Sequence, residues 1–289
     1  MKVLLLGAGG MLATDLAKSA QREATIVAVD HSRCDVTETG AVARLVGAER
    51  PDLIVNASAY TAVDKAEKEQ DRAMLVNGEA VGTLGEIAAR LDIPLVHYST
   101  DYVFRGDGRR PYGEDDTTSP VNAYGASKLR GEQLLAASGA RSLVIRTQWL
   151  FGVAGKSFVR TMWDRARSAQ PTRVVDDQWG RPTYTVDLAR ATWRVIAAGA
   201  TGVLHVTNGG RPVSWFDLAA RVFAAAGASE LLTRCSTSDY PTPAARPAFS
   251  ALDTSRAASL LGGELPDWSS AVDRFLAELG ATALTGSRH

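Results

Sequence analysis

Tyr124 and Lys128 are the residues whose types and spacing most directly suggest chemistry. On a helix, residues four apart lie on the same face, so the phenol and the ammonium would point in the same direction. A nearby cation favours the ionised phenol and lowers its pKa from about 10 toward the working range of an acid or base catalyst. The spacing therefore predicts a proton-donating tyrosine that is tuned by a lysine.

A short polar segment, Ser99-Thr100-Asp101, follows an apolar stretch that we predict to be a buried strand. Parallel sheets bind ligands at the carboxyl ends of their strands, so these side chains are candidates for substrate contact. A hydroxyl there can hydrogen-bond a substrate carbonyl while Tyr124 protonates it, which lowers the barrier as charge develops on the oxygen. Together with Lys128, the segment indicates reduction of a ketone by a hydride from a nicotinamide.

A glycine-rich turn directly follows the first predicted strand, Lys2–Leu6. Gly7, Gly10 and Ala13 fit the GxxGxxG/A spacing that lets backbone approach a diphosphate at the N-terminus of a helix. The strand-turn-helix context therefore predicts a dinucleotide-binding site.

The choice between the two nicotinamide dinucleotides depends on residues at the end of the second strand. Asp30 lies about 20 residues past the turn, where an acidic side chain bonds ribose hydroxyls and repels a 2′-phosphate. It favours NADH. Arg33 comes three residues later and can pair with a phosphate, so both NADH and NADPH remain candidates.

The elements that must position these residues follow an alternating pattern of short apolar strands and helices. Such alternation predicts an α/β fold with a doubly wound, parallel (Rossmann-type) sheet covered by helices on both faces. After residue 148 the rhythm changes, which predicts a smaller, mainly C-terminal lobe. We expect the Rossmann domain to comprise residues 1–148 and about 184–207, and the lobe to comprise about 149–183 and 208–289.

Composition narrows the class of protein. The chain has 289 residues, is 45% hydrophobic and has a formal net charge of zero. A balanced charge gives no global electrostatic support for a nucleic-acid or acidic-membrane partner. There is no long apolar run at either end or between, so we expect a cytoplasmic protein without membrane contact. The two cysteines and four histidines show no metal spacing, and no metal site is predicted.

Seven longer strings extend these isolated motifs. They are PDLIVNASAYTAVDKAE (Pro51–Glu67), STDYVF (Ser99–Phe104), YGASKLRGE (Tyr124–Glu132), RTQWLFG (Arg146–Gly152), DQWGRPT (Asp177–Thr183), VSWFDLA (Val213–Ala219) and YPTPAARPAFSALDTSR (Tyr240–Arg256). In this order they resemble the dTDP-4-dehydrorhamnose reductase family, a branch of the extended short-chain dehydrogenase/reductases. The TAVDKAE and YPTPAxRP strings are the most specific part of the resemblance.

The resemblance implies an NAD(P)H-dependent oxidoreductase that reduces the C4 ketone of dTDP-4-dehydro-6-deoxy-L-mannose to dTDP-L-rhamnose. That reaction is the last step of dTDP-rhamnose biosynthesis and feeds cell-surface polysaccharide. The implied partner is a dTDP-sugar, bound by the smaller lobe, and the implied assembly is a monomer or homodimer. The resemblance leaves Mg²⁺ open as an additional ion, although no ligand cluster is legible in the sequence.

The resemblance also assigns roles to individual residues. Tyr124 would be the proton donor, Lys128 its electrostatic partner and a ligand of the nicotinamide ribose, and Thr100 the ligand of the sugar carbonyl. Asp101 would hold sugar hydroxyls, and Trp149 would form an aromatic wall. The other implied cofactor positions, besides Gly7, are Gly10, Met11, Leu12, Asp30, Asp35, Val36, Ala59, Tyr60 and Thr61.

Three further residues carry expectations of our own. Arg246 lies in a proline-stiffened loop and is a candidate ligand for the substrate diphosphate, because guanidinium matches phosphate oxygens well; the alternative is a surface ion pair. Gln148 stands where the family more often has a small residue, which puts the shape of the pocket beside Trp149 in question. Glu132 is expected to be a solvated helix charge.

Two other functions compete with this interpretation. A sibling 4-ketoreductase of an antibiotic-sugar pathway would use the same catalytic groups on a related NDP-4-keto-6-deoxysugar. A non-catalytic, dinucleotide-binding regulatory subunit belongs to a different class, and the intact set of Thr100, Tyr124 and Lys128 argues against it.

Overall fold

The computed structural model describes residues 1–20 and 24–286, with only the backbone described for residues 281–286. The strands are β1 (Lys2–Leu6), β2 (Thr25–Val29), β3 (Leu53–Asn56), β4 (Leu95–Thr100), β5 (Ser142–Thr147), β6 (Leu150–Phe151), β7 (Thr172–Val175), β8 (Trp179–Gly180), β9 (Thr183–Tyr184), β10 (Gly202–His205), β11 (Val213–Ser214) and β12 (Leu232–Cys235). The helices are α1 (Met11–Ser19), α2 (Thr39–Glu49), α3 (Val63–Ala66), α4 (Gln70–Met74), α5 (Ala80–Arg90), α6 (Ala123–Ala137), α7 (Phe158–Arg167), α8 (Thr185–Ala197), α9 (Trp215–Ala225), α10 (Ser255–Leu261) and α11 (Trp268–Gly286).

Within the described residues, six strands form one parallel sheet in the order β10-β5-β4-β3-β1-β2. The strands are nearly continuously apolar because helices cover both faces of the sheet. In β1, Val3 and Leu5 pack into the core on one face with α1 and α8, whereas Leu4 and Leu6 pack on the other with α2 and α5. The predicted α/β fold with a doubly wound parallel sheet is confirmed.

A second hydrophobic core lies apart from the sheet. It is built around aromatic side chains from late segments, including Phe151, Tyr184, Phe223 and Phe275. Three short strand pairs, β6 with β9, β7 with β12 and β8 with β11, accompany α7, α9 and α11 here. Most of this core comes from the segments expected to form the smaller lobe, but Tyr184 and Val186 come from the range 184–207 that is expected in the Rossmann domain, so the division stays a prediction. Residues 287–289 of the expected lobe lie outside the described residues.

Helix α6 is the element that presents Tyr124 and Lys128. The side chain of Asn122 caps it by accepting a hydrogen bond from the Gly125 backbone N–H at 2.7 Å, which stabilises the helix start. A Cβ at Gly125 would lie 2.1 Å from the Tyr102 carbonyl oxygen, so only glycine lets α6 pack this close to the end of β4. The close packing brings Tyr124 beside Thr100.

The expectation that Glu132 is a solvated helix charge is wrong. Its carboxylate accepts hydrogen bonds from Arg146 of β5, with Nη2–Oε2 at 2.6 Å and Nε–Oε1 at 3.0 Å, and the two side chains are only 7% and 5% exposed. Burial makes the pair interdependent, because either charge alone would be stranded away from water.

We therefore predict that Glu132→Gln lowers the free energy of unfolding by about 3–5 kcal/mol, since it leaves the Arg146 guanidinium buried without a counter-charge. Urea denaturation measures this loss. The matched control is Asp273→Asn, which breaks the exposed ion pair between Asp273 and Arg221, whose side chains are 47% and 44% exposed. The control should lower the free energy of unfolding by no more than about 1 kcal/mol. Equal losses in the two variants would contradict the importance of burial here.

Candidate active site

A cleft of about 690 Å³ runs along the carboxyl edge of the sheet, where ligands of such folds bind. The structure places along this cleft all twelve of the predicted cofactor positions. They are Gly7, Gly10, Met11, Leu12, Asp30, Asp35, Val36, Ala59, Tyr60, Thr61, Tyr124 and Lys128. Sequence reasoning missed several further lining residues, among them Arg72, Thr147 and Lys156. Of these, only the two cations offered a signal in the sequence, as candidate partners for phosphate.

The glycine-rich turn brings backbone groups to one end of this cleft. Gly7 has a φ of +88°, and its backbone N–H donates to the Val29 carbonyl at 3.0 Å. A Cβ at Gly7 would lie 2.6 Å from the Ser58 backbone nitrogen, so the turn lies directly against the end of β3. Gly10 precedes α1, which leaves the N–H groups of the first helical turn directed at the cleft, as anion binding requires.

The acidic residues expected near the adenosine are held by local hydrogen bonds. Asp30 accepts from the Ser32 hydroxyl at 2.7 Å and the Arg33 backbone N–H at 3.0 Å, and these bonds lower its pKa. Partial burial opposes ionisation of Asp35, but bonds from Thr37 outweigh it and its pKa is also lowered. Both carboxylates are therefore charged at neutral pH.

Arg33 is the candidate ligand for a 2′-phosphate. Its Nη2 lies 2.7 Å from Glu49 Oε1, so the guanidinium is already in an ion pair. To bind a 2′-phosphate it would have to exchange that partner. The geometry at Asp30 and Arg33 thus remains compatible with either dinucleotide.

Thr100, Asp101 and Tyr124 lie together at the end of β4. The Thr100 hydroxyl donates to Asp101 Oδ1 at 3.0 Å and is near enough to the Tyr124 phenol to affect the pKa of that phenol. Burial raises the pKa of Tyr124 to about 12; the Thr100 hydroxyl opposes this rise and the charge of Asp101 adds to it. The phenol is therefore fully protonated at neutral pH, as a proton donor must be.

The expectation that Lys128 lowers the pKa of Tyr124 is not met in this structure. Lys128 Nζ lies 2.5 Å from the Tyr98 carbonyl oxygen and 3.3 Å from His97 Nε2, so the amine is directed toward the strands rather than toward the phenol. Burial lowers the pKa of Lys128 to about 8, against the opposing charge of Glu132. The spacing predicted a shared helix face, but not how deeply that face is buried.

Gln148 links Asp101 to the C-terminal part of the chain. Its Nε2 donates to Asp101 Oδ2 and to the Ser250 carbonyl, both at 3.2 Å, and its Oε1 accepts from the Leu252 N–H at 3.1 Å. Burial raises the pKa of Asp101 to about 6, while hydrogen bonds from Ser250, Thr100 and Gln148 hold it down. The larger residue at position 148 thus orients a predicted substrate ligand.

Trp149 adopts a left-handed backbone conformation with φ +49°. Its indole stacks on that of Trp215, with ring centroids 3.5 Å apart and planes 9° from parallel. A Cβ at Gly180 would lie 2.6 Å from the Trp149 ring, so the indole is held on that side as well. An aromatic wall at this position remains a prediction, and Trp215 is part of the same stack.

Arg246, expected to bind a diphosphate, makes a bidentate ion pair with Asp64 of α3. The Nη1–Oδ1 distance is 2.5 Å and the Nη2–Oδ2 distance is 2.9 Å. The Arg246 side chain is 16% exposed and the Asp64 side chain 43%, so the pair is a partly buried contact between the late loop and α3. A diphosphate ligand would have to share or displace Asp64, and the role stays a prediction.

Two buried hydroxyls suit a bound dinucleotide. Ser99, next to the last residue of β4, and Thr147, the last residue of β5, border the cleft, and Ser99 Oγ and Thr147 Oγ1 have no hydrogen-bond partner among the described residues. Buried polar groups are normally satisfied, so these two await the polar groups of a ligand or water. With the glycine turn, Asp30 and Lys128, the residues present fit a nicotinamide dinucleotide.

A divalent ion has no comparable support. Over residues 1–20 and 24–286, no group of three or more His, Cys, Asp or Glu side chains is arranged to hold a metal. In the same ranges, no helix combines the length and apolar character needed to cross a bilayer.

The chain is similar to known proteins over nearly its whole length, and the matches agree with one another. The family model described as RmlD substrate binding domain matches residues 1–281. The chain is 42% identical to a dTDP-4-dehydrorhamnose reductase of Burkholderia thailandensis, covering 94% of this chain and 97% of the relative. It is also 42% identical to a probable dTDP-4,6-dihydroxy-2-methyloxan-3-one 4-ketoreductase of Streptomyces antibioticus, covering 94% and 93%.

Solved structures agree with these sequence relatives. A dTDP-4-dehydrorhamnose reductase of Bacillus anthracis in complex with NADP superposes with a TM-score of 0.92 at 34% identity, covering 96% of this chain and 99% of that one. The corresponding enzyme of Clostridium acetobutylicum gives the same TM-score and identity, covering 97% and 100%.

The glycine turn generates a stability prediction that needs no ligand. Gly9→Ala should cost about 1–2 kcal/mol of unfolding free energy, because φ is +82° there but no described atom lies within 4 Å of the added Cβ. Gly7→Ala should cost more, because its Cβ also overlaps the backbone of β3. Urea denaturation of the two variants without cofactor measures the difference, and equal losses would show that the turn does not lie tightly against β3.

Proposed function

This chain belongs to the family described as RmlD substrate binding domain, and we propose that it is an NAD(P)H-dependent dTDP-4-dehydrorhamnose reductase. The reaction is reduction of the C4 ketone of dTDP-4-dehydro-6-deoxy-L-mannose to dTDP-L-rhamnose, the last step of dTDP-rhamnose biosynthesis. The observation that carries the proposal is the placement of Thr100 and Asp101 at the end of β4 with Tyr124 next to them, where Tyr124 and Lys128 line the cleft that fits the dinucleotide.

Thr100 and Tyr124 converge on the position where the ketone oxygen would lie. When bound, NAD(P)H supplies the hydride that reduces C4. The Thr100 hydroxyl, which here donates to Asp101, turns its hydrogen to the ketone and polarises it. The Tyr124 phenol is protonated and transfers its proton to the same oxygen as negative charge develops there.

The groups around this pair orient the sugar. Asp101, held by Gln148, accepts hydrogen bonds from sugar hydroxyls, and the stacked Trp149 limits where the ring can lie. Arg246 is our candidate for the diphosphate. We propose that the domain of residues 1–148 and about 184–207 holds the cofactor, while the lobe of about 149–183 and 208–289 closes over the nucleotide-sugar; the second hydrophobic core supports this division.

A sibling 4-ketoreductase is the second candidate, because the Streptomyces antibioticus relative is as similar as the rhamnose-pathway one. Both activities use the same acid and differ in the sugar and in the face of the ketone that is attacked. The site offers no reason for a purely regulatory dinucleotide-binding role, since such a protein needs no buried phenol beside the end of β4. Cytoplasmic location and a monomeric or homodimeric state stay predictions, to be checked by cell fractionation and size-exclusion chromatography.

The proposal predicts that purified protein converts dTDP-4-dehydro-6-deoxy-L-mannose to dTDP-L-rhamnose with loss of NADPH or NADH absorbance. Product stereochemistry at C4, determined by NMR with each cofactor in turn, separates the two candidates. The C4 epimer of rhamnose as sole product would favour the sibling activity, and no cofactor oxidation would refute the reductase proposal.

Tyr124→Phe should lower kcat by about 10²–10⁴-fold, because it removes the proton donor, while leaving cofactor affinity nearly unchanged. Steady-state kinetics and fluorescence titration with NADPH measure the two quantities. Tyr184→Phe, which removes a buried phenol oxygen from the second core, is the matched control and should retain turnover. Full turnover by Tyr124→Phe would disprove the proton-donor role.

A further inference from the structure

His97 is a fully buried histidine in β4 that contacts polar groups on two other elements. Its Nδ1 lies 3.2 Å from Asn56 Nδ2, and its Nε2 lies 3.3 Å from Lys128 Nζ. The register of the sheet sets the first contact, because Asn56 of β3 is the direct neighbour of His97. The imidazole thus connects a strand end to the amine expected to act in catalysis.

The orientation of the Asn56 amide is fixed independently of the histidine. Its Oδ1 accepts from the Ser58 backbone N–H at 3.1 Å and from the Ser58 hydroxyl at 2.5 Å. A backbone N–H can only donate, so this atom must be the amide oxygen and the atom facing His97 must be the NH₂ group. His97 Nδ1 therefore accepts a hydrogen bond.

The position of the histidine proton follows from that bond. Burial, the largest cause, lowers the pKa of His97 well below its ordinary value, so the ring is neutral. A neutral imidazole carries one proton, and with Nδ1 as acceptor that proton is on Nε2. The Nε2–H consequently faces the Lys128 amine.

A lysine ammonium has three donors and no lone pair, so it cannot accept this N–H. The neutral amine can, while one of its own N–H groups still donates to the Tyr98 carbonyl at 2.5 Å. We infer that His97 is a positioning residue whose Nε2–H orients the Lys128 amine and weakens its hold on a proton.

The other charged and titratable groups around Lys128 do not account for this effect. Glu132, one helical turn along α6, acts in the opposite direction by favouring the ammonium, and its charge is shared with Arg146 of β5. Tyr124, one turn earlier, is neutral at the pH of interest. From β4, the contacts are the Tyr98 carbonyl and His97 itself.

The consequence for turnover rests on the proposed function. The neutral amine can take up a proton from water and, because its proton affinity is weakened, release it readily, which would help to restore the Tyr124 proton after the phenol has donated its own. His97 would then set the pH at which Lys128 is ready to do so.

The first test reads the histidine tautomer in the unaltered full-length protein. Long-range ¹H–¹⁵N NMR distinguishes an Nε2–H ring from an Nδ1–H ring, and the chain has only four histidines, so loss of one signal in His97→Asn assigns it. The Nε2–H form is expected for His97. The Nδ1–H form would overturn the inference.

The second test measures the titration midpoint of Lys128 from its ¹³Cε resonance, which Lys128→Met assigns among six lysines. His97→Asn keeps an acceptor for the Asn56 amide but removes the Nε2–H. Its Lys128 midpoint should rise by about one pH unit, a tenfold gain in proton affinity.

The matched control is His205→Asn, which removes another fully buried histidine that contacts Arg146 and the Tyr112 carbonyl instead of Lys128. It should leave the Lys128 midpoint unmoved. An unchanged midpoint in His97→Asn, or an equal rise in both variants, would overturn the inference. Neither test uses the sugar, so a failed reductase assay would refute the proposed function without affecting this result.

Discussion

A basic amine buried at the carboxyl end of a parallel sheet is the constraint around which the rest of this site is arranged. Lys128 is 2% exposed, and burial disfavours its charged ammonium form relative to the neutral amine. The Tyr98 carbonyl and His97 are the groups it contacts, and the buried Glu132–Arg146 pair lies one helical turn away. These groups belong to β4, β5 and α6, so the sheet and helix must pack correctly for the amine to be tolerated at all.

The same packing makes the site depend on distant segments of the chain. Gln148, just beyond the end of β5, is hydrogen-bonded to both Asp101 and the 250–252 segment. Arg246 binds Asp64, and the Asn122 side chain, which caps α6, donates to the Ala245 carbonyl at 2.8 Å. The late loop therefore holds both the start of the catalytic helix and the residue beside Thr100. The position of Asp101 and the start of α6 are consequently both tied to the late loop through a small number of hydrogen bonds.

Local patterns in the sequence were sufficient to predict the fold class and the order of the strands and helices along the chain. Strand runs such as Lys2–Leu6, the glycine turn and the four-residue spacing of Tyr124 and Lys128 all depend on nearest neighbours, and the structure places them as expected. Burial and pairing between distant residues were not predictable in this way. The Glu132–Arg146 pair, the contacts of Gln148 and the raised pKa of Tyr124 arise only when α6 packs on β4 and β5. His97 did leave a signal, since a histidine within an otherwise apolar buried strand needs polar partners.

The central claim is that Thr100, Tyr124 and Lys128 assist direct hydride delivery to a sugar ketone at C4. The most direct measurement is reduction of dTDP-4-dehydro-6-deoxy-L-mannose with nicotinamide cofactor deuterated at its reactive position, followed by NMR of the product. The account predicts a single deuterium at C4 of dTDP-L-rhamnose. Deuterium at another carbon, or a product formed without deuterium, would contradict it.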